Sequence, residues 1–117
     1  MNKIPFSGFY SKPPLYPQIE LYLYFTTHCL LVPLSDISHW EINEAFASVV
    51  LVVEKMLNVE REVMNPHGGA ISLGHPFGCS GARITSHLAL RLKPGEYGVA
   101  GICNGGGGAG AILLQGV

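Results

Sequence analysis

One histidine stands on a segment that carries few bulky side chains. The stretch GGAISLGHPFGCSGARI, residues 68–84, holds five glycines and places His75 between Gly74 and Pro76. Glycines allow the backbone to approach a ligand or a neighbouring segment closely. Pro76 suits the first turn of a helix, and the positive end of a helix dipole favours a neutral imidazole. Such an imidazole can accept a proton or donate a hydrogen bond to a developing oxyanion, whereas a purely structural histidine would only cap the helix.

A cysteine close to four consecutive glycines is the second side chain that could take part in a reaction. Cys103 ends a predicted strand and precedes Asn104 and the glycine run 105–108. Successive backbone N–H groups with little steric cover can hold an anion, including a thiolate. The alternative is a buried strand cysteine beside a hairpin. The third candidate is Asn43, which is either a helix N-cap or a polar group of the site.

Two glycine patterns are similar to nucleotide-binding loops, and both fail on their surroundings. Residues 69–74 fit G-x-x-x-x-G, but His75 and Pro76 stand where a phosphate-binding loop needs lysine and a hydroxyl residue. The glycines between 105 and 110 fit G-x-G-x-x-G, yet the strand-like AILLQGV follows them instead of a helix. The five histidines show no i, i+4 spacing of the kind that binds a metal on a helix. The sequence therefore predicts neither a nucleotide loop nor a metal site.

The elements that must position these groups alternate between strand and helix. Residue types and periodicity predict strands at 37–42, 63–65, 97–103 and 109–115, and helices at 45–57 and 76–92. Asn43 and Glu44 are expected at the start of the first helix, which is apolar on nearly all sides. The second helix is expected to turn four residues inward: Ala82, Leu88, Ala89 and Leu92. This order indicates an α/β fold, with a mixed sheet and helices packed on it.

Composition narrows the classes of function. The chain has 117 residues, of which 48% are apolar and 13% charged, so burial against another chain or domain is expected. A net charge of −1 gives no electrostatic reason to bind nucleic acid. Three cysteines without C-x-x-C spacing argue against a disulfide framework and for a reducing, intracellular compartment. The most apolar segment, 15–34, is interrupted by Pro17 and Glu20 and is too short to span a bilayer, so a strand at 21–25 is expected instead of a membrane role.

Three separated motifs together resemble the C-terminal half of the thiolases. They are NEAF at 43–46, GGAISLGHPFGCSGAR at 68–83 and CNGGGG at 103–108, in the order and at the separations of that family. CNGGGG is closer to the mitochondrial acetoacetyl-CoA type than to types with a methionine in this motif. The resemblance implies a thiolase C-terminal domain over 36–117, an α/β half-fold incomplete on its N-terminal side, and an unrecognised segment over 1–35.

The resemblance also implies a role for each candidate residue in the reversible Claisen condensation of acyl-CoA thioesters, such as acetyl-CoA to acetoacetyl-CoA. Cys103 matches the cysteine that removes or returns the α-proton. His75 matches the histidine that activates a nucleophilic cysteine and hydrogen-bonds the thioester oxygen. Asn43 matches the residue that holds a water at one oxyanion hole, and the Gly105 N–H matches a donor of the other. Coenzyme A thioesters enter as substrates, and the family implies no other cofactor and no metal.

Part of the thiolase machinery is expected to lie outside this sequence. Thiolases carry the nucleophilic cysteine in their N-terminal half, and Cys29 has neither its neighbours nor its placement. Since no acyl-enzyme forms without that nucleophile, the isolated chain is expected to be inactive and to need a complementing half. A non-catalytic thiolase-like binding or scaffold domain, or a truncated product of gene prediction, is the alternative. Homo-oligomers and a mitochondrial location are expected, with the cytosol or peroxisome as alternative locations.

Overall fold

A computed structural model describes residues 32–106 and 108–117. In chain order the elements are β1 (Ile37–Ile42), α1 (Ala47–Leu57), α2 (Ala70–Leu73), α3 (Phe77–Arg91), β2 (Tyr97–Cys103) and β3 (Ala109–Gln115), with 3-10 turns at Leu34–Asp36 and Arg61–Val63. The strand expected at 21–25, most of the apolar segment 15–34 and Cys29 lie outside the described residues. Within the described ranges, no helix is both long and apolar enough to cross a membrane.

The three strands form one mixed sheet in the order β1-β2-β3. β1 pairs with β2 in parallel, and β2 pairs with β3 in antiparallel orientation along its whole length. A parallel pair needs a long crossover, which here contains α1, α2 and α3. The expected α/β class, with a mixed sheet and helices packed on it, is therefore confirmed.

Each face of the sheet carries one long helix. One core cluster joins β1, α1 and β2, and its buried members are Ile37, Trp40, Ile42, Val49, Val50, Val53, Met64 and Val99. The other cluster joins α3 to the opposite face of the sheet through Ile84, Leu88 and Ala100. Because both faces are covered, β1 is buried at Trp40, Glu41 and Ile42 in succession and does not alternate.

The first long helix begins later than the sequence predicts. α1 starts at Ala47 with Phe46 as its N-cap, so the expectation that Asn43 caps this helix is wrong. The Asn43 N–H instead donates to the Gly101 carbonyl at 2.8 Å and continues the parallel ladder beyond β1. This pairing keeps the backbone of Asn43 beside β2 and delays the helix. Glu44 accepts a hydrogen bond from the N–H of Ile71, in the unpredicted short helix α2, at 3.0 Å.

The strand expected at 63–65 is reduced to a single parallel bridge between Met64 and Trp40. Asn65 follows with a φ of 45°, in the left-handed region that asparagine tolerates. Its side chain accepts from the Ile42 N–H at 2.8 Å and donates to the Ile42 carbonyl at 2.9 Å. An amide side chain thus takes the place of a neighbouring peptide and holds the following loop against the end of β1.

The helix predicted at 76–92 is confirmed as α3, but its inward face differs from the predicted one. The buried positions are spaced four apart: Ser80, Ile84 and Leu88. Ala82 and Ala89 are exposed and Leu92 is half-buried. The buried row includes a serine, Ser80, and an apolar pattern alone does not indicate such a row. Cys79, in the first turn of α3, is also exposed.

A methyl group added at Gly98 of β2 should destabilise the fold. It would meet Leu88 Cδ1 at 2.6 Å, inside the contact between α3 and the sheet. We expect Gly98→Ala to lower the free energy of unfolding by about 1–3 kcal/mol through overpacking. Urea unfolding followed by the fluorescence of Trp40, the single tryptophan, measures this change.

Gly78→Ala is the matched control, because the methyl group added in the first turn of α3 would meet no described atom within 4 Å apart from its neighbouring residues and the backbone of its own helix. This variant should keep or raise stability, by up to about 1 kcal/mol. A Gly98→Ala chain as stable as the native chain would contradict the packing described.

Candidate active site

The carboxyl ends of the two parallel strands bring two predicted site residues to one edge of the sheet. Asn43 directly follows β1, and Cys103 is the last residue of β2. The hydrogen bond from the Asn43 N–H to Gly101 places Asn43 beside the strand residues that lead to Cys103. Ligands of open α/β sheets bind at this edge, because the carboxyl ends of the strands open into a crevice there.

The His75 side chain reaches the same edge from the glycine-rich loop. The loop leaves α2 at Gly74, whose φ is 88°, and Pro76 is the N-cap of α3. The imidazole Nε2 lies 3.4 Å from Nδ2 of Asn43, although the two residues are 32 positions apart in the chain. Arg83 donates to the Gly74 carbonyl at 2.8 Å and ties the loop to α3. The structure thus joins two of the predicted site residues by direct contact.

The other ring nitrogen of His75 contacts Ser80, a residue that sequence analysis missed. Nδ1 lies 2.6 Å from the Ser80 Oγ, and Ser80 is fully buried. The Ser80 Oγ also lies 3.2 Å from the Pro76 carbonyl; when the hydroxyl donates its single proton there, its oxygen accepts from Nδ1–H. The amide nitrogen of Asn43 only donates, so its contact fits a ring with Nε2 as the acceptor. This arrangement has the imidazole proton on Nδ1 and the Nε2 lone pair at the carboxyl edge. The available sequence signal was a serine one helical turn after Pro76.

Asn43 carries an unsatisfied polar atom. The residue is 2% exposed, and its Oδ1 is buried without a hydrogen-bond partner among the described residues. A buried acceptor left in this state costs about 1–3 kcal/mol. Packing alone does not favour an amide at this position, which makes Asn43 a candidate functional group.

The turn that follows Cys103 is organised by Asn104. Its Oδ1 accepts from the N–H groups of Gly106 at 3.1 Å and Gly108 at 3.0 Å. Gly105 has a φ of 77°, and apart from its two chain neighbours no atom of the described residues lies within 4 Å of the place where its Cβ would stand. The backbone conformation, and not crowding inside the chain, therefore requires glycine there. Cys103 itself is half-buried and packs against the core cluster on the α1 side.

A second group of titratable side chains lies on the α3 face of the sheet. His87 Nε2 is 3.6 Å from a carboxylate oxygen of Glu41 and 3.3 Å from Nδ1 of His67. Burial raises the pKa of Glu41 to about 7, opposed by the positive charges of Arg83 and Arg91. Burial, followed by the charges of His67 and the two arginines, lowers the pKa of His87. Two histidines that no sequence motif singles out therefore meet a buried carboxyl group.

The chain is similar in sequence to known enzymes. A family model described as thiolase, C-terminal domain, matches residues 28–116. Over 80 residues the chain is 61% identical to the mitochondrial acetyl-CoA acetyltransferase of Mus musculus. This match covers 68% of the chain and 19% of the relative, so the chain spans only a small part of the length of that protein.

Solved structures give the same relationship. The Acat5 thiolase from Ascaris suum, determined in complex with coenzyme A, superposes with a TM-score of 0.83 at 43% identity, over 86% of this chain and 26% of that chain. The dimeric peroxisomal thiolase of Saccharomyces cerevisiae superposes with a TM-score of 0.73 at 38% identity, over 80% of this chain and 24% of that chain. The likeness therefore covers both the fold and the sequence.

Removing the Ser80 hydroxyl should change the tautomer of His75. In the native chain, nitrogen-15 NMR of labelled histidine should show a protonated Nδ1 and an unprotonated Nε2. In Ser80→Ala, Nδ1–H has lost its acceptor, so we expect the Nε2–H tautomer to gain population. Loss of this hydrogen bond should also cost about 1 kcal/mol of stability.

Ser72→Ala is the matched control, because the Ser72 hydroxyl is exposed and donates to the Gly69 carbonyl at 3.0 Å, away from the imidazole. It should leave the His75 signals in place. His75 signals that stay unchanged in Ser80→Ala would show that Ser80 does not set the tautomer.

Proposed function

Because this chain belongs to the thiolase family through its C-terminal domain, we propose that residues 36–117 form one half of an active site for acyl transfer between coenzyme A thioesters. The contact between His75 and Asn43, at the sheet edge where Cys103 ends β2, carries this proposal. The name of the mouse relative, acetyl-CoA acetyltransferase, points to acetyl-CoA and acetoacetyl-CoA as the substrate pair. Its mitochondrial name also supports a mitochondrial location for this chain.

His75 is proposed to act through Nε2. Since Ser80 holds the proton on Nδ1, the Nε2 lone pair can accept the proton of a thiol nucleophile. Once protonated, Nε2–H donates a hydrogen bond to the thioester oxygen, where negative charge develops. The distance of 3.4 Å to the Asn43 amide is long for a hydrogen bond, so neither atom is firmly engaged before substrate binds.

Asn43 is proposed to complete the oxyanion hole on the His75 side. Its Nδ2 donor faces the imidazole, and its buried Oδ1 offers an unused acceptor. A water held by that amide would satisfy the acceptor and turn a proton toward the substrate oxygen. The unsatisfied atom of the free chain is then part of a site that substrate and water complete.

Cys103 is proposed to transfer the α-proton. In condensation its thiolate takes a proton from the α-carbon of one acyl-CoA, and the electron pair moves to the thioester oxygen to form an enolate. The enolate carbon attacks the acyl group held on the nucleophilic cysteine, and the carbon–sulfur bond to that cysteine breaks. The Gly105 N–H, in the exposed turn after β2, is proposed to stabilise the oxyanion of this second step.

An N-terminal thiolase part is proposed to supply the nucleophilic cysteine. Large apolar side chains beside the glycine loop are exposed in the described residues: Ile71 at 64%, Leu73 at 60% and Phe77 at 85%. Contiguous apolar surface of this kind is usually covered by a partner. We infer that the N-terminal part and a second copy of the thiolase subunit cover it.

Complementation tests the catalytic proposal. The 117-residue chain alone should not cleave acetoacetyl-CoA with coenzyme A faster than buffer. Mixed with the N-terminal part of the mouse relative, it should release acetyl-CoA. In the mixture, Asn43→Ala and Cys103→Ala should each lower kcat by about 100-fold or more, because each removes a group that acts in the transition state.

Cys79→Ala is the control for Cys103→Ala, since Cys79 is exposed in the first turn of α3 and has no proposed role. It should leave kcat unchanged. Thiolysis by the 117-residue chain alone would contradict the proposal that it forms only one half of the active site. A complex that assembles without activity would favour a non-catalytic scaffold domain.

Self-association of the free chain follows from the exposed apolar side chains. Sedimentation velocity should show species larger than a monomer that grow with concentration. Replacing Leu73 and Phe77 with serine should shift the distribution toward the monomer, because the apolar area to be covered falls. Val117→Ser, at the exposed chain end, should not shift it. A folded monomer at all concentrations would contradict the prediction.

A further inference from the structure

We propose that Glu41, His67 and His87 form a binding site for a divalent transition-metal ion, with zinc as the ion that suits these ligands best. The three residues come from β1, from the loop before α2 and from α3. None of them takes part in the proposed acyl transfer. The histidines lack the i, i+4 spacing of a metal site on a helix, and the sequence therefore predicts no metal site; the proposed ligands come instead from three segments, which that spacing does not describe.

The separations between the ligand atoms match those around a tetrahedral ion. Zinc binds imidazole nitrogen and carboxylate oxygen at about 2.0–2.2 Å, which places neighbouring ligand atoms roughly 3.3–3.6 Å apart. His87 Nε2 lies 3.3 Å from Nδ1 of His67 and 3.6 Å from Oε1 of Glu41. All three ligand atoms lie within 4.8 Å of one another. His67 is exposed, so a rotation of its side chain can shorten the distance between its Nδ1 and the Glu41 carboxylate.

Direct bonding among the three groups is weak at these distances. A separation of 3.3 Å is long for a hydrogen bond between two imidazoles, and 3.6 Å lies beyond hydrogen-bond range for the carboxylate and His87. Glu41 is 6% exposed and has therefore lost most of its hydration. A burial of this kind is costly unless the carboxylate gains a partner of opposite charge. A cation between the three ligand atoms would partner all of them at once.

The ligand types select the class of ion. Two imidazoles and one carboxylate suit zinc and its neighbours in the first transition row, whereas magnesium and calcium prefer oxygen ligands. Three protein ligands leave a fourth position for water. The positive charges of Arg83 and Arg91 act on Glu41 and oppose a bound cation. Binding should therefore depend strongly on the single negative charge that Glu41 supplies.

A bound ion would connect segments that also position the candidate active site. β1 leads to Asn43, the loop that carries His67 is pinned by Asn65, and α3 carries Ser80. Because the ion would bind the folded chain and not the unfolded one, it should raise thermal stability.

Zinc titration of the untagged, reduced 117-residue chain tests the site. Calorimetry should show one zinc ion per native chain and a rise in melting temperature with added zinc. His67→Ala and Glu41→Gln should each weaken zinc binding by about 100-fold or more and remove the rise, because each deletes a ligand. His67 is exposed and glutamine has the shape of glutamate, so both variants should keep the native circular dichroism spectrum. His39→Ala, which removes a β1 histidine outside the cluster, should bind zinc as the native chain does.

Cobalt(II) distinguishes this site from the free cysteines. Bound cobalt should give the visible absorption of a tetrahedral nitrogen and oxygen site, without a thiolate-to-cobalt charge-transfer band. A folded native chain that binds no zinc would overturn the proposal. Equal affinity in the native chain and both folded variants, or a cobalt spectrum dominated by thiolate, would overturn it as well.

Discussion

Parallel pairing between β1 and β2 runs from Ile37 beside Tyr97 to Ile42 beside Gly101. Asn43 extends it by one further hydrogen bond, and this extension determines where the candidate site can form. It keeps the chain extended at Asn43, where a helix cap was expected, and it buries the Asn43 side chain at the carboxyl edge. Since both strands end at that edge, Cys103 arrives there through the same pairing.

The packing of helix α3 on the sheet is the second feature that determines where the site residues lie. Its buried row of Ser80, Ile84 and Leu88 packs on the sheet, which Gly98 allows by offering no side chain at the contact. At its first turn, Ser80 holds one nitrogen of His75. Two turns later, His87 faces Glu41 on β1. The packing of one helix on one sheet therefore sets the position of both imidazoles, so that a shift of α3 would move both sites together.

In the described part of the chain, the buried polar side chains lie at the two candidate sites. Its buried polar side chains are those of Glu41, Asn43 and Ser80. Two belong to the candidate active site, and the third belongs to the proposed metal site. Removing such groups from water is costly unless they find partners. Their position at the two candidate sites indicates that chemistry, and not core packing, accounts for these residue types.

Much of this molecule was predictable from the sequence. Strand propensity predicted the bounds of β1, β2 and β3, proline and periodicity predicted α3, and three spaced motifs indicated the family. Whether Asn43 caps a helix or meets His75 was decided only by tertiary structure, as was the meeting of Glu41, His67 and His87. The physical reason is the distance along the chain over which each interaction acts. Propensity, capping and periodicity act over a few residues, whereas Asn43 and His75 are 32 positions apart and the three titratable groups come from three segments, so they meet only when α3 packs on the paired strands.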